Sequence, residues 1–161
     1  MLTFTITTAL ALVAVVVSAT LLPERVPTHF GANGAADDWG TRTSAVTLQA
    51  ATTAGLGALF AVLARQMPKV SWEWINLPGK QRWAEAGLQD EVRHRLRTDL
   101  LWMGSAMALL NTALTSSTVD ATRSGTDGLP WWFFLAFDAW LVAMAGYVAF
   151  TGLVRYRLPE G

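Results

Sequence analysis

Four stretches of this chain carry no charged side chain, and their lengths limit what it can fold into. Asp, Glu, Lys, Arg and His are absent from residues 1–23, 43–64, 100–119 and 139–154. A helix of about 20 apolar residues spans the hydrocarbon core of a bilayer. Three stretches reach that length alone, and the fourth reaches it once Asp138 is included. The pattern predicts an all-α membrane protein, one four-helix transmembrane bundle over residues 1–161. The predicted spans are about 2–22, 44–64, 100–119 and 131–154.

Composition argues against several classes of function. The chain has no cysteine, so disulfides and thiolate chemistry are excluded. Its formal net charge is zero and it shows no nucleic-acid-binding module, so a nucleic-acid partner is not expected. No nucleophile–base pair or phosphate-binding loop is evident, so we expect neither an enzyme nor a cofactor. A cleaved signal peptide is the weaker interpretation of the first stretch, because residues 1–8 lack the usual positive charge.

The distribution of basic residues predicts the orientation. Of the 12 Lys and Arg residues, nine fall in the second loop (65–99) and the C-terminal tail. The other three fall in the first and third loops. Because Lys and Arg mark cytoplasmic loops, both termini are expected in the cytoplasm. The first loop, 23–43, is then an extracytoplasmic loop.

This outer loop is unusually long and rich in special residues. Pro23 and Pro27 favour extended backbone around them, and three glycines permit tight turns. Long ordered loops are often functional. Its candidate ligand-binding residues are His29, Asn33, Asp37 and Asp38. His29 either holds the loop together by hydrogen bonds or contacts a peptide, lipid or small ligand. The spacing matches no known metal-binding motif, so no metal site is predicted.

Three polar residues are predicted within the membrane spans. Asp138 lies about 10 Å below the outer end of the last span, at 1.5 Å per residue. Gln49 and Asn111 fall at a similar depth in two other spans. Ionisable residues inside a membrane are costly and point to function. The three side chains form either a polar clamp between helices or the floor of an outward-facing cavity.

The second loop, 65–99, is predicted to lie on the cytoplasmic membrane surface. Trp72, Trp74 and Trp83 suit the headgroup region because the indole ring has a polar edge and an apolar face. A helical pattern follows from residue 83 to 97, with a basic face that can lie on anionic lipid. This segment is either an interfacial helix that leads into the third span or a surface where a cytoplasmic partner docks. The candidate docking residues are Asn76, Lys80, Arg82, Arg93 and Arg97.

The segment LPERVPTHFGANGAADDWGTR, which begins at Leu22, resembles the family named domain of unknown function 1648. The resemblance rests on a Leu-Pro, a Val-Pro-x-His, an Asn-Gly, an acidic pair and a Gly close to a basic residue. The cytoplasmic INLPGKQRW, residues 75–83, is similar to another segment of that family. Together the two motifs extend the resemblance over about the first 85 residues.

The resemblance implies a bacterial inner-membrane protein without an assigned activity. SdpI-like immunity proteins share the domain, protect against a secreted toxic peptide and sequester a cytoplasmic repressor. They have about two more spans than are predicted here. We therefore expect a binding, sensor or immunity-type protein that uses the loop 23–43. The alternative is a small transporter with a polar site around Asp138. Membrane lipid is the expected partner, while a peptide or protein partner on either face and a homo-oligomer are left open.

Overall fold

The computed structural model describes residues 1–126 and 128–157, and these are mostly helical. Five α-helices and one two-stranded sheet follow one another along the chain. The elements in order are α1 (Leu2–Leu21), β1 (Arg25–Phe30), β2 (Ala36–Thr41), α2 (Arg42–Gln66), α3 (Lys80–Glu85), α4 (Gln89–Ser124) and α5 (Trp131–Phe150). A π-helical turn, Thr151–Arg155, continues α5.

Three helical segments are long and apolar enough to cross a membrane, namely Leu2–Leu21, Arg42–Lys69 and Trp131–Arg155. The fourth predicted span, 100–119, lies inside α4 and is not among them. This part of α4 is less apolar than the other predicted spans because it contains one Asn and several Ser and Thr residues. Length and composition therefore identify a membrane protein with three candidate spans.

Helix α4 is the centre of the fold. It packs mainly against α1 and α2, whereas α5 lies at the periphery. Gly104 makes the close approach possible, because a Cβ there would be 2.6 Å from Phe4 Cε2 and 2.9 Å from Phe60 Cβ. The small residue thus lets α1, α2 and α4 meet at one point.

The all-α prediction was wrong for the loop 23–43, which forms an antiparallel β-hairpin. Arg25 pairs with Thr41 at its base, and the register shifts around His29. Thr41 then begins α2, since its hydroxyl accepts a 3.1 Å hydrogen bond from the Ser44 amide. The hairpin therefore leads directly into α2 instead of lying as an irregular loop.

The segment between α2 and α4 is folded compactly at the opposite end of the molecule from the hairpin. Ile75, Trp83, Val92 and Tyr156 form a buried apolar cluster there. The predicted continuous helix 83–97 is instead broken at Gly87, where φ is +70°. Trp83 was predicted at the membrane interface but is 1% exposed, because its ring fills this cluster.

Candidate functional site

The base of the hairpin is fixed by residues of the sequence motif. Val26 is fully buried and clusters with Leu22 and Ala45, the latter from α2. Arg42 donates a 3.3 Å hydrogen bond to the Leu22 carbonyl and forms an ion pair with Glu24. These contacts hold β1 over the ends of α1 and α2.

The tip of the hairpin is a tight turn that contacts the α4–α5 connection. The Asn33 side chain accepts a 3.1 Å hydrogen bond from the Ala35 amide, and Gly34 has a φ of +78°. The Leu129 amide donates a 2.8 Å hydrogen bond to the Gly34 carbonyl. A Cβ at Gly34 would collide with the Phe134 ring of α5. Asn33 is thus placed as a turn-forming residue.

His29 joins the two strands. Its Nδ1 lies 2.6 Å from Asp37 Oδ1, and the side chain is 67% exposed. The Thr28 hydroxyl donates a 3.0 Å hydrogen bond to Asp38. Each carboxylate of the acidic pair therefore has its own cross-strand partner. Within the described residues, no three His, Asp or Glu side chains converge as a metal site would need.

A cavity of about 330 Å³ lies beneath β1, between the hairpin and the helices. It brings together His29 of the loop with Gln49 of α2 and Asn111 of α4, which the sequence assigned to two separate candidate sites. Asn111 donates a hydrogen bond to the Thr53 hydroxyl, which crosses between the two helices. The remaining lining residues are Leu22, Pro27, Thr28, Phe30, Ala45, Leu48, Thr52, Leu114, Thr118 and Leu129. Such a lining, mostly apolar with a few polar groups, is typical of small-ligand sites.

Asp138 does not belong to this cavity. It is exposed on α5, and its carboxylate has no hydrogen-bond partner in residues 1–126 and 128–157. α5 packs on α4 through other residues, including Trp140, whose indole donates to the Ala106 carbonyl at 2.9 Å. The predicted grouping of Asp138 with Gln49 and Asn111 was therefore wrong.

Two of the predicted docking residues serve the internal structure of the α2–α4 segment. The Lys80 amine donates to the Glu73 carbonyl at 3.0 Å and lies 5.8 Å from the Trp72 ring centroid. Arg93 donates to the Val70 carbonyl at 3.0 Å and pairs with Asp90 at 2.6 Å. These two cations stabilise the segment and do not form a free basic face.

The other three candidate docking residues remain accessible. Asn76 and Arg82 are exposed. Arg97 is half-buried on α4 and lines a second cavity, which is described below.

A buried polar cluster that sequence reasoning missed joins α4 to the end of α5. Asp99 is 7% exposed and accepts hydrogen bonds from the hydroxyls of Tyr147, at 2.7 Å, and Tyr156, at 2.6 Å. Arg155 Nε lies 2.8 Å from Asp99 Oδ1, the same oxygen that accepts from Tyr147. Asp99 adjoins the charge-free stretch 100–119 and was left outside it. The signal in the sequence was that both tyrosines of the chain lie near its end, where nothing else explains them.

The local environment shifts the pKa values of two side chains at this end of the molecule. Burial, reinforced by the hydrogen bond to Asp99, raises the pKa of the Tyr156 hydroxyl. The hydrogen bond from Arg95 lowers the pKa of Glu91. The Tyr156 hydroxyl therefore stays protonated at neutral pH and can donate its hydrogen bond, and Glu91 stays ionised and can pair with Arg95.

Taken together, these features define a membrane protein with a β-hairpin folded over the ends of its first two helices. Residues 6–53 match the family described as Domain of unknown function (DUF1648). This segment comprises most of α1, the hairpin and the first half of α2, so the predicted family resemblance is confirmed there. The match does not include residues 75–83, whose resemblance to another segment of the family therefore stays a prediction. Neither the curated proteins nor the solved structures contain a match.

Proposed function

We propose that the chain crosses the inner membrane of a bacterium four times, with both termini in the cytoplasm. The surplus of Lys and Arg at the end opposite the hairpin supports this orientation. α4 has 36 residues, or about 54 Å at 1.5 Å per residue, which exceeds the hydrocarbon thickness. The buried hydroxyls of Ser105, Thr115, Ser117 and Thr118 donate to carbonyls of α4 itself. Its polar side chains are therefore compatible with a span enclosed by other helices.

Cysteine labelling tests this topology. Ala35→Cys at the hairpin tip is expected to react in intact cells with a membrane-impermeant thiol reagent, whereas Ala86→Cys is expected to react only after lysis. Both positions are exposed, and the chain has no cysteine of its own. The reverse labelling pattern would overturn the orientation.

We further propose that the protein binds an extracytoplasmic ligand in the cavity beneath β1. The cavity itself is the observation that carries this proposal, because motif residues of the hairpin form one wall and polar groups of two helices form the other. Its apolar lining suits an apolar side chain or a short acyl segment. His29, Gln49 and Asn111 supply a few hydrogen-bonding groups to orient a polar part of the ligand. A secreted peptide offers both kinds of group.

The immunity-type role is the special case in which that peptide is toxic. The shared domain supports it, since the hairpin and one cavity wall lie within residues 6–53. The transporter alternative needs Asp138 beside Gln49 and Asn111. α5 instead carries Asp138 on an exposed face, away from the cavity. The geometry therefore favours binding over transport.

Filling the cavity tests this function. Thr52 lines the cavity from α2, and Thr47 lies on the same helix outside it; both are exposed. A photoreactive amino acid is placed at Leu48, on the cavity rim, and crosslinked in native membranes. We expect a discrete adduct. Thr52→Phe is expected to reduce its yield roughly tenfold, because the phenyl ring would take the place of an apolar part of the ligand and its packing contact would be lost. Thr47→Phe is expected to leave the yield unchanged.

The mass of the adduct reports the class of ligand. A peptide adduct supports the proposal as stated, and a lipid adduct would replace the peptide by a lipid in the same cavity. If both phenylalanine variants keep the same adducts, the cavity is not a binding site.

A further inference from the structure

A second cavity, of about 340 Å³, lies at the opposite end of the molecule from the hairpin. The beginning of α1 and the first half of α4 form its walls. It is lined by Met1, Thr3, Phe4, His94, Arg97, Thr98, Leu101, Trp102 and Ser105. No carboxylate is among these residues. The cavity is thus a basic and apolar site that the outer cavity's proposed role does not use.

Arg97 differs from the arginines beside it on α4. Arg93 pairs with Asp90 and Arg95 pairs with Glu91, each within one helical turn. Among the described residues, Arg97 has no carboxylate partner. In residues 1–126 and 128–157, the one hydrogen bond that its guanidinium donates goes to the Met1 sulfur, at 3.4 Å, which is a weak acceptor. No described carboxylate neutralises its charge, so the guanidinium can bind an anion from outside the chain.

The cavity is polar at one end and apolar at the other. His94, Arg97 and Thr98 occupy the polar end, and the next turn of α4 presents Leu101 and Trp102. Trp102 is 54% exposed although its ring is large and apolar. One helical turn is about 5.4 Å, close to the offset between a lipid phosphate and the start of its acyl chains. The order of groups along α4 follows the order of groups in a phospholipid.

The position of the cavity in the fold fits the same ligand. The apolar helix α1 begins at Leu2, beside the cavity, and the charge-free part of α4 begins at residue 100. Arg97 is thus at the level where the apolar surface of the molecule ends. Arginine at that level can extend its head to the headgroup layer and bind phosphate through two N–H groups.

We propose that this cavity binds one anionic phospholipid, with its phosphate on Arg97 and an acyl chain against Leu101 and Trp102. Basic pockets between helices on the cytoplasmic side are suited to anionic headgroups. The proposal is independent of the outer cavity and of its ligand.

The protein, purified in a mild detergent, is reconstituted into nanodiscs that contain phosphatidylglycerol and phosphatidylcholine. Lipids retained after detergent extraction are counted by native mass spectrometry. We expect one retained phosphatidylglycerol, and roughly tenfold weaker retention in Arg97→Gln because a charge-assisted contact is lost. Arg82→Gln is the matched control, since it removes the same charge from an exposed side chain outside the cavity. Arg97→Lys keeps the charge without the fork of donors and is expected to retain the lipid to an intermediate degree.

Three results would overturn the proposal. Equal retention by wild type and Arg97→Gln would show that Arg97 does not hold the lipid. Equal losses in Arg97→Gln and Arg82→Gln would show a general effect of net charge. Displacement of the lipid by excess inorganic phosphate would show a phosphate site that does not need the acyl chain. An unchanged melting temperature of Arg97→Gln separates loss of the site from loss of the fold.

Discussion

Replacing Asp99 with alanine is expected to lower the free energy of unfolding by about 3 kcal/mol. Removing one partner of a buried ion pair typically costs 3–5 kcal/mol, since the other charge remains without compensation. The lower end applies here because the Arg155 side chain is 25% exposed and can reach solvent. The hydroxyls of Tyr147 and Tyr156 lose their acceptor in the same variant. Reversible unfolding in mixed micelles measures the change.

Asp138→Ala is the matched control for this prediction. It removes the same side chain from an exposed position of α5, where the carboxylate has no partner among the described residues. Its stability is expected to stay within about 0.5 kcal/mol of wild type, or to rise. Tyr156→Phe is expected to cost about 1–3 kcal/mol, the penalty for one unmet buried hydrogen bond. Equal stability of the two aspartate variants would contradict a structural role for the Asp99 cluster.

Replacing Gly34 with alanine is expected to lower stability by about 2–5 kcal/mol and to release the hairpin tip. A side chain at positive φ costs about 1–2 kcal/mol, and overpacking adds about 1–3 kcal/mol. The second contribution arises because the new Cβ would collide with Phe134. Unfolding in micelles measures the loss of stability. Hydrogen exchange at the Leu129 amide, which donates to the Gly34 carbonyl, measures the release of the hairpin tip.

Two variants separate strain from collision. Gly79 has a φ of +68° and no atom within 4 Å of its Cβ position, so Gly79→Ala should cost only the backbone contribution. Phe134→Ala removes the collision, so it should recover about 0.5–3 kcal/mol when combined with Gly34→Ala. Additive losses in the double variant would mean that the hairpin tip does not rest on α5.

Much of the helical fold follows from the sequence because long apolar runs have few alternatives. The hairpin could not be predicted in full, since β2 has the sequence ADDWGT and shows no apolar alternation. Its strand conformation depends on pairing with β1, which is a tertiary contact. Trp83 was misplaced for a similar reason. An indole suits an interface and a core equally well, and only the folding of its segment decides between them.

The candidate site was predicted by residue type more successfully than by position. His29, Gln49 and Asn111 were singled out, but their meeting depends on β1 folding back over α2. Asp138 was misplaced because sequence depth does not report which face of a helix is packed. α5 packs through residues spaced by seven, among them Phe133 and Trp140. At 3.6 residues per turn Asp138 lies roughly 140–160° around the helix from both.

The wall of the outer cavity that α4 supplies lies outside the segment that matches the family. Residues 6–53 end before Asn111, Leu114 and Thr118, so the matched segment contains only part of the cavity. The matched segment supplies the hairpin wall and the α2 residues of the cavity, and α4, which follows it in the chain, completes the cavity. Proteins that join this segment to different helices would keep the residues of the hairpin wall and change those of the wall that α4 supplies here. Under the proposed function, the helix that follows the matched segment would then set the ligand preference, while the hairpin motif would stay unchanged.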